Sequence, residues 1–369
     1  MPSQNPVRVA SVGFVNARPL IHGLGDDAAI DLSLDVPSGL LDRVAGGAAD
    51  VALLPTIDLQ RQPGLRVIPS GGIGCDGETL TVRLFSRMPF GKILTLACDT
   101  DSHTSVALSR AVLARIFDAR PKQVPLPEAT DAEAVLLIGD KVVCEEPAGY
   151  PHQLDLGAAW KEMTGLPFVF AVWAARPEVA LENLPQKLRE AKRRGMADLP
   201  AIVERYAVPR GWPAEVAMRY YTEHLRFDIG PRQLEAIRLF HEFAAEDGSI
   251  DAPPAALNVV EESANLAAFV PDLMFRSKVR HLAKPATVRW VKTAADATPA
   301  AGERLLVDLS GEASVALAKR WIAAGGVAAG YGSHVDAAAL RAARAAGLDP
   351  VWTRSQLADA LPAWANGTI

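Results

Sequence analysis

Three short segments place amide, hydroxyl and carboxylate side chains where apolar runs give way to helical patterns. The first is Gly13-Phe-Val-Asn16-Ala-Arg18-Pro, the second Pro37-Ser38-Gly39, and the third Asp101-Ser-His103-Thr104-Ser105-Val106. The first N–H groups of a helix lack internal partners. With neighbouring hydroxyls they suit a carboxylate or a phosphate. Taken singly, Ser38, Thr104 and Ser105 are better explained as N-caps. Their joint occurrence after successive apolar runs makes an anion site the sharper reading. Ser86 closes the run Thr81–Ser86 and either faces a cleft or marks where the strand stops. Asp140 follows Val135–Gly139, so its carboxylate emerges at a strand end. There it is a turn aspartate, or a group that orients a hydroxyl or moves a proton.

Other chemistries are poorly served. A loop histidine such as His103 is more often a hydrogen-bonding residue than a general base. The run Gly71-Gly72-Ile-Gly74-Cys75-Asp-Gly77 lacks the Gly-Lys-Ser/Thr of a phosphate loop and reads as a turn-rich connection. Cys75 has no neighbouring base, and no His/Cys/Asp grouping has metal-ligand spacing. Neither metal nor organic cofactor is expected. Cys75, Cys98 and Cys144 are odd in number and far apart, unlike a disulfide framework. The N-terminus has no export-signal pattern, and no run approaches the roughly 18–20 apolar residues that span a bilayer. A cytoplasmic location is the expectation. The net charge of −5 gives no bulk pull toward nucleic acid or anionic lipid, so an anionic substrate must be drawn by local groups.

The elements that would position these residues alternate short apolar runs with helical patterns, the signature of a sheet flanked by helices. With 369 residues, 49% hydrophobic and 22% charged, two or more domains are expected. Strands are predicted at Val7–Val12, Asp50–Pro55, Val82–Ser86, Ile93–Cys98, Ala134–Ile138 and Phe168–Trp173. Helical spacing follows at Leu181–Arg194, Leu199–Tyr206, Ala214–Leu225 and Pro231–Glu246. Residues 251–263, opening on Asp251-Ala-Pro-Pro, read as a linker. Beyond it, five predicted strands (Leu266–Val270, Thr287–Val291, Leu305–Asp308, Val327–Tyr331 and Val351–Thr353) alternate with helical patterns. That series suggests a small doubly wound domain over 264–369.

The ordered segments VGFVNARPL (12–20), PSGLLDRVAGGAADVALLP (37–55), SVALSRAVL (105–113), AVLLIGD (134–140) and DLGAAWKEMTGLPFVFAVWAAR (155–176) resemble the chorismate dehydratase family of the futalosine route to menaquinone. The likeness runs from about residue 7 to about 247. It implies a type II periplasmic-binding-protein-like α/β fold with two lobes, one of about 7–87 and 175–250, the other of about 88–174. It implies conversion of chorismate to 3-[(1-carboxyvinyl)oxy]benzoate and water, a hydro-lyase reaction. It also places Asn16 and Asp140 at catalytic positions and Ser38, Ser86, Thr104, Ser105 and Val106 at substrate-binding positions. Histidine at 103 stands where the resemblance expects arginine, which removes that source of cationic help. The C-terminal unit resembles a degenerate receiver domain of the flavodoxin type. Asp308 falls at its phosphoacceptor position, Asp272 alone remains of the acidic pair, and Arg354 stands near the usual lysine. A structural or partner-binding role, through a second copy or another protein, is favoured over a phospho-switch. The competing readings are a solute-binding protein of the same fold that leaves its anion unchanged, and a metabolite sensor.

Overall fold

The computed structural model describes residues 6–126, 132–144, 147–260, 266–284, 286–293, 298–299, 303–311 and 313–365. The first five residues and the last three of the expected linker, 261–263, lie outside it. Contacts divide the chain into two units, Met1–Val260 and Glu261–Ile369.

The first unit opens with β1 (Val7–Val12), β2 (Ile30–Asp35), α1 (Pro37–Ala45), β3 (Val51–Pro55), α2 (Asp58–Arg61) and β4 (Arg66–Cys75). Next come β5 (Val82–Ser86), β6 (Thr95–Cys98), α3 (His103–Phe117), β7 (Lys122–Pro125), β8 (Ala134–Ile138), α4 (Asp140–Cys144), β9 (His152–Asp155) and α5 (Leu156–Thr164). The chain then forms β10 (Phe168–Ala175), α6 (Leu184–Ala197), α7 (Leu199–Ile202), α8 (Ala214–Arg219), β11 (Leu225–Arg226), α9 (Pro231–Glu246) and β12 (Asn258–Val259).

Two sheets result. One has the order β11-β4-β10-β3-β1-β2 with β12 added on β4, and the other runs β7-β6-β8-β5-β9. The chain passes between them twice, after β4 and again before β10, giving the two lobes of a periplasmic-binding-protein-like fold. Two expected boundaries move. β5 pairs with β8 and β9 in the second sheet, and β10 pairs with β3 and β4 in the first. The crossovers therefore fall at about 76–81 and 165–167 rather than at 87/88 and 174/175. Both strands are buried apolar runs, and such a run encodes burial without naming its sheet.

The glycine run after residue 70 also differs from its expectation, since Gly71–Cys75 lies inside β4. A Cβ on Gly72 would stand 2.6 Å from the Ala171 carbonyl oxygen, and one on Gly74 2.6 Å from that of Phe168. These glycines let β4 lie against an irregular stretch of β10, where the register shifts twice. The expected linker is likewise partly absorbed into the first unit. Asn258–Val259 pairs in parallel with Arg66–Val67, and the Ala255 amide donates to Gln60 Oε1 at 2.7 Å.

In the second unit, β13 (Leu266–Phe269), α10 (Leu273–Leu282), β14 (Val288–Trp290), β15 (Arg304–Asp308), α11 (Ser314–Ala323), β16 (Val327–Gly332), α12 (Ala337–Ala345), β17 (Val351–Thr353) and α13 (Arg354–Ala365) alternate. All strand pairs are parallel, and the order β14-β13-β15-β16-β17 is the 2-1-3-4-5 order of flavodoxin-type sheets. Successive side chains point to opposite faces. Leu306, Ala329 and Tyr331 pack with Val279, Leu357 and Trp364 on one face. Leu305, Val307 and Ala328 pack with Leu317, Trp321 and Leu340 on the other.

One glycine bears directly on the site. The tight turn after β1, Val15–Ile21, packs on α6. A Cβ on Gly195 would meet the Pro19 carbonyl oxygen at 2.2 Å and its Cα at 2.6 Å. Both neighbours are backbone, so relief requires the turn itself to move. Gly195→Ala is expected to cost about 1–3 kcal/mol through overpacking, read from urea unfolding, and to displace Asn16 with the turn.

Candidate active site

A cavity of about 610 Å³ lies between the two lobes. The first lobe contributes Phe14 and Asn16 after β1, Pro37 at the head of α1, Pro55 at the end of β3, and Tyr220. The crossover between the lobes contributes Thr79 and Thr81, and the second lobe Ser102, Ser105 and Gly139. Apolar side chains of β3, β4, β8 and β10 fill in the wall, a mix ordinary for a small-molecule site.

Asn16 is set by the turn that carries it. Val15, Ala17, Leu20 and Ile21 bury into the core, leaving Asn16 on the side that lines the cavity. Its Oδ1 is buried with no hydrogen-bond partner. A buried acceptor left open in this way costs about 1–3 kcal/mol, a penalty that a donor on a bound molecule removes. Tyr220 stands close by, fully buried, its hydroxyl 2.9 Å from Thr81 Oγ1. Burial pushes this phenol well above its ordinary range, against the opposing hydrogen bonds of Thr81 and Asn16, so it remains neutral. Tyr220 begins a widened turn that continues α8 through His224, a local irregularity that often accompanies functional positions.

A buried carboxylate anchors the crossover that leads into β5. Asp155 caps α5 by accepting from Gly157 and Ala158. It also accepts from the backbone of Thr79 at 3.0 Å and of Leu80 at 2.9 Å. Leu80 has φ +67°, a left-handed conformation unfavourable for a bulky residue. Asp155 thus holds a strained residue between the two threonines that face the cavity. Burial raises the Asp155 carboxyl above the usual range, against those backbone donors.

The expected residues divide. Asn16 and Ser105 meet at the cavity. Ser102, not Thr104 or Ser105, caps α3, its Oγ accepting from the Ser105 amide, which leaves Ser105 inside the first turn. Thr104 Oγ1 is turned to the Ile57 amide at 3.3 Å, joining α3 to the loop after β3. Ser38 lies within α1 behind the uncapped Val36, and Pro37 is the residue that lines the cavity. Val106 lines a different groove, with Arg61 and His103.

Ser86 lies apart from this cavity. β5 runs antiparallel to β8, with Val82 opposite Ile138 and Ser86 opposite Ala134. The start of β5 therefore faces the cleft and its end points away. The Ser86 hydroxyl donates to the Met88 carbonyl at 2.6 Å. Thr79 and Thr81, at the other end of the same apolar run and not singled out by the sequence reading, are the hydroxyls that line the cavity there.

Asp140 starts α4 directly after Gly139, and its carboxylate accepts from Trp212 Nε1 at 2.7 Å, with Arg210 Nε at 3.9 Å. Trp212 in turn packs on Tyr220 at 5.1 Å between centroids. Asp140 thus reaches the cavity through Trp212 and Tyr220. His103 is a hydrogen-bonding residue, its Nδ1 3.0 Å from both Asp58 carboxylate oxygens. Burial pushes the Cys75 and Cys98 thiols up to about 12, which removes both as nucleophiles. Among the described residues no group of His, Cys, Asp and Glu is arranged to hold a metal ion, and no helix is long and apolar enough to cross a membrane.

In the second unit Asp308 ends β15 fully buried. It accepts from the Ser310 amide and hydroxyl at 3.0 and 2.8 Å and from Tyr331 at 3.0 Å, with Arg354 at 3.8 Å. Asp272 is taken up in capping α10.

A two-lobed α/β protein with a dipole-lined cleft is the class that this geometry defines. The chain belongs to the menaquinone biosynthesis family, whose profile matches residues 7–246. It is 29% identical over 252 residues to the chorismate dehydratase of Thermus thermophilus, covering 62% of this chain and 92% of that protein. Among solved structures, a protein from Archaeoglobus fulgidus superposes with a TM-score of 0.55 at 17% identity, covering 67% of this chain and all of that one. The periplasmic aliphatic sulphonate binding protein of Escherichia coli gives 0.50 at 13% identity, covering 71% and 95%. At these identities the structures speak for the fold.

Behind the cavity wall, His241 of α9 is 1% exposed, with Nε2 on the Thr56 carbonyl at 2.9 Å and Nδ1 against Gln60 Nε2 at 2.8 Å. Burial lowers it from 6.5 to about 4. The unfolded chain binds this proton below about pH 6.5 and the folded protein only below about 4, so stability falls as pH drops through that window. Between pH 7 and pH 5 the loss from this group is about 2 kcal/mol. His241→Gln is expected to remove that part of the acid-limb slope, measured as the difference between variant and wild type in urea midpoints at the two pH values.

Proposed function

We propose that the chain is a cytoplasmic chorismate dehydratase, a hydro-lyase that eliminates water from chorismate to give 3-[(1-carboxyvinyl)oxy]benzoate. The observation that carries this reading is the unpartnered amide oxygen of Asn16, buried in a cavity of neutral donors inside a chain of the menaquinone biosynthesis family. The ring loses its hydroxyl and the hydrogen on the neighbouring carbon that bears the enolpyruvyl ether. The C–H electron pair becomes the new ring double bond, and the proton leaves with the hydroxide as water. Aromaticity supplies the driving force, so the protein's task is positioning, which in favourable cases contributes about 7–11 kcal/mol.

In this scheme Asn16 is the catalytic residue, its open Oδ1 accepting from the departing hydroxyl or its amide nitrogen donating to a carboxylate beside it. Ser102, Ser105 and the first amides of α3 hold one carboxylate. Thr79, Thr81 and Tyr220 face the remainder of the molecule. Asp140 is a positioning residue that acts through Trp212 and Tyr220. No carboxylate or imidazole lines the cavity among the described residues, so a substrate carboxylate serves as the base. A non-catalytic carboxylate binder is the second reading, favoured by the likeness to the sulphonate binding protein's fold.

The second unit is read as a receiver-like structural or partner-binding module. The Asp308 carboxylate is closed to solvent and already satisfied by Ser310 and Tyr331, which leaves no open face for phosphoryl transfer.

Asn16→Ala is expected to lower kcat for chorismate at least 100-fold, while chorismate binding, measured by calorimetry, changes less than about tenfold. Full turnover by the variant contradicts the assignment.

A further inference from the structure

A groove of about 620 Å³ lies outside the cavity, bounded by α2, the first two turns of α3, β7 and the turn after α9. Its polar lining is Arg61, Thr100, His103, Arg110, Gln123 and Ser249. Three of these six are basic and three are neutral donors. The carboxylate that meets the basic ones is Asp58, fully buried beneath them, which accepts from Arg61 Nη1 and from His103 Nδ1 at 3.0 Å each. Two arginines and a histidine thus line the groove, and no carboxylate lines it among the described residues.

Arg110 is the decisive group. Its Nη2 donates to Gln123 Oε1 at 2.9 Å and its Nη1 to the Asp247 backbone carbonyl at 3.4 Å. Both partners are neutral oxygens. The Asp247 carboxylate is engaged elsewhere, by Arg115 at 2.6 Å, and Glu246 is bound to the same arginine. Arg110 is half-buried and has no carboxylate partner among the described contacts. Gln123 is itself fixed, its Nε2 donating to the Val106 carbonyl and to Ser109 Oγ at 3.0 Å each. The guanidinium is therefore held in one orientation before any ligand arrives. A planar fork of donors in a fixed pose is the arrangement that recognises a carboxylate or phosphoryl group.

We propose that this groove binds a small oxyanion, carried as a phosphoryl or a carboxylate group, at a site separate from the cavity. The two sites share the first turn of α3 as a partition. Ser105 lines the cavity and His103 lines the groove.

The test is calorimetric titration of the full chain with inorganic phosphate and, separately, with malonate, at an ionic strength held constant with chloride. Saturable binding of at least one is expected, with Kd below about 1 mM. Phosphate alone assigns a phosphoryl ligand and malonate alone a carboxylate. Arg110→Gln is expected to weaken that binding at least tenfold, while Ser105→Ala, on the cavity side, leaves it unchanged. Arg61→Gln, on a separate helix, is expected to weaken it as well and serves if Arg110→Gln does not fold. Absence of saturable binding for both anions overturns the proposal. So does binding that survives both arginine changes, or binding that is lost with Ser105→Ala, which places the anion in the cavity. Phosphate and malonate binding is read without chorismate, so its failure is distinct from a failure to turn chorismate over.

Discussion

Thr81 Oγ1 and Tyr220 OH meet 2.9 Å apart in a region closed to water. Thr81 ends the crossover that leads into β5 of the second lobe and Tyr220 belongs to the first, so this bond is made only when the lobes stand in register. Two buried hydroxyls separated from each other lose about 1–3 kcal/mol apiece, and the geometry of the cleft is fixed by that penalty. Tyr220 packs on Trp212, Trp212 holds Asp140, and Asn16 reaches Tyr220 from the other side. Opposite them, Asp155 secures Thr79 and the strained Leu80. A single buried contact thus links both residues expected to be catalytic with the strap between the lobes.

The cavity that these contacts shape offers dipoles rather than charges. Hydroxyls, amides and the head of α3 face a mostly apolar wall. In the proposed reaction this combination has a chemical use. A carboxylate partly stripped of water becomes more basic, against the donors that hold it, and no cation lines the cavity among the described residues to oppose that shift further, which suits a substrate that supplies its own base. The surface groove shows the opposite design, with charge fixed in place by an amide.

Much of the architecture was legible from pattern, because buried strands are apolar and short whichever fold contains them. Val7–Val12, Val82–Ser86, Ala134–Ile138 and Val351–Thr353 have the bounds that their patterns predict. Direction and sheet membership were not legible, since an apolar run reads the same in either orientation. That is why Ser86 was expected in the cleft and Thr81 was not, and why β5 and β10 were expected in the other lobe. Ser102 was hidden for a related reason, as Ser102, Thr104 and Ser105 all have capping potential ahead of Val106 and only backbone geometry selects among them. Tyr220 sits in a helical pattern where burial alone accounts for an aromatic residue. Asn16 was recognisable because it opens a polar turn directly after the first apolar strand, within a segment that resembles the family.

The most direct test of the central claim is to incubate the purified 369-residue chain with chorismate and follow the mixture by mass spectrometry. The expected result is time-dependent formation of 3-[(1-carboxyvinyl)oxy]benzoate, one water lighter than chorismate. Chorismate recovered bound and unchanged would contradict the claim and select the binding role.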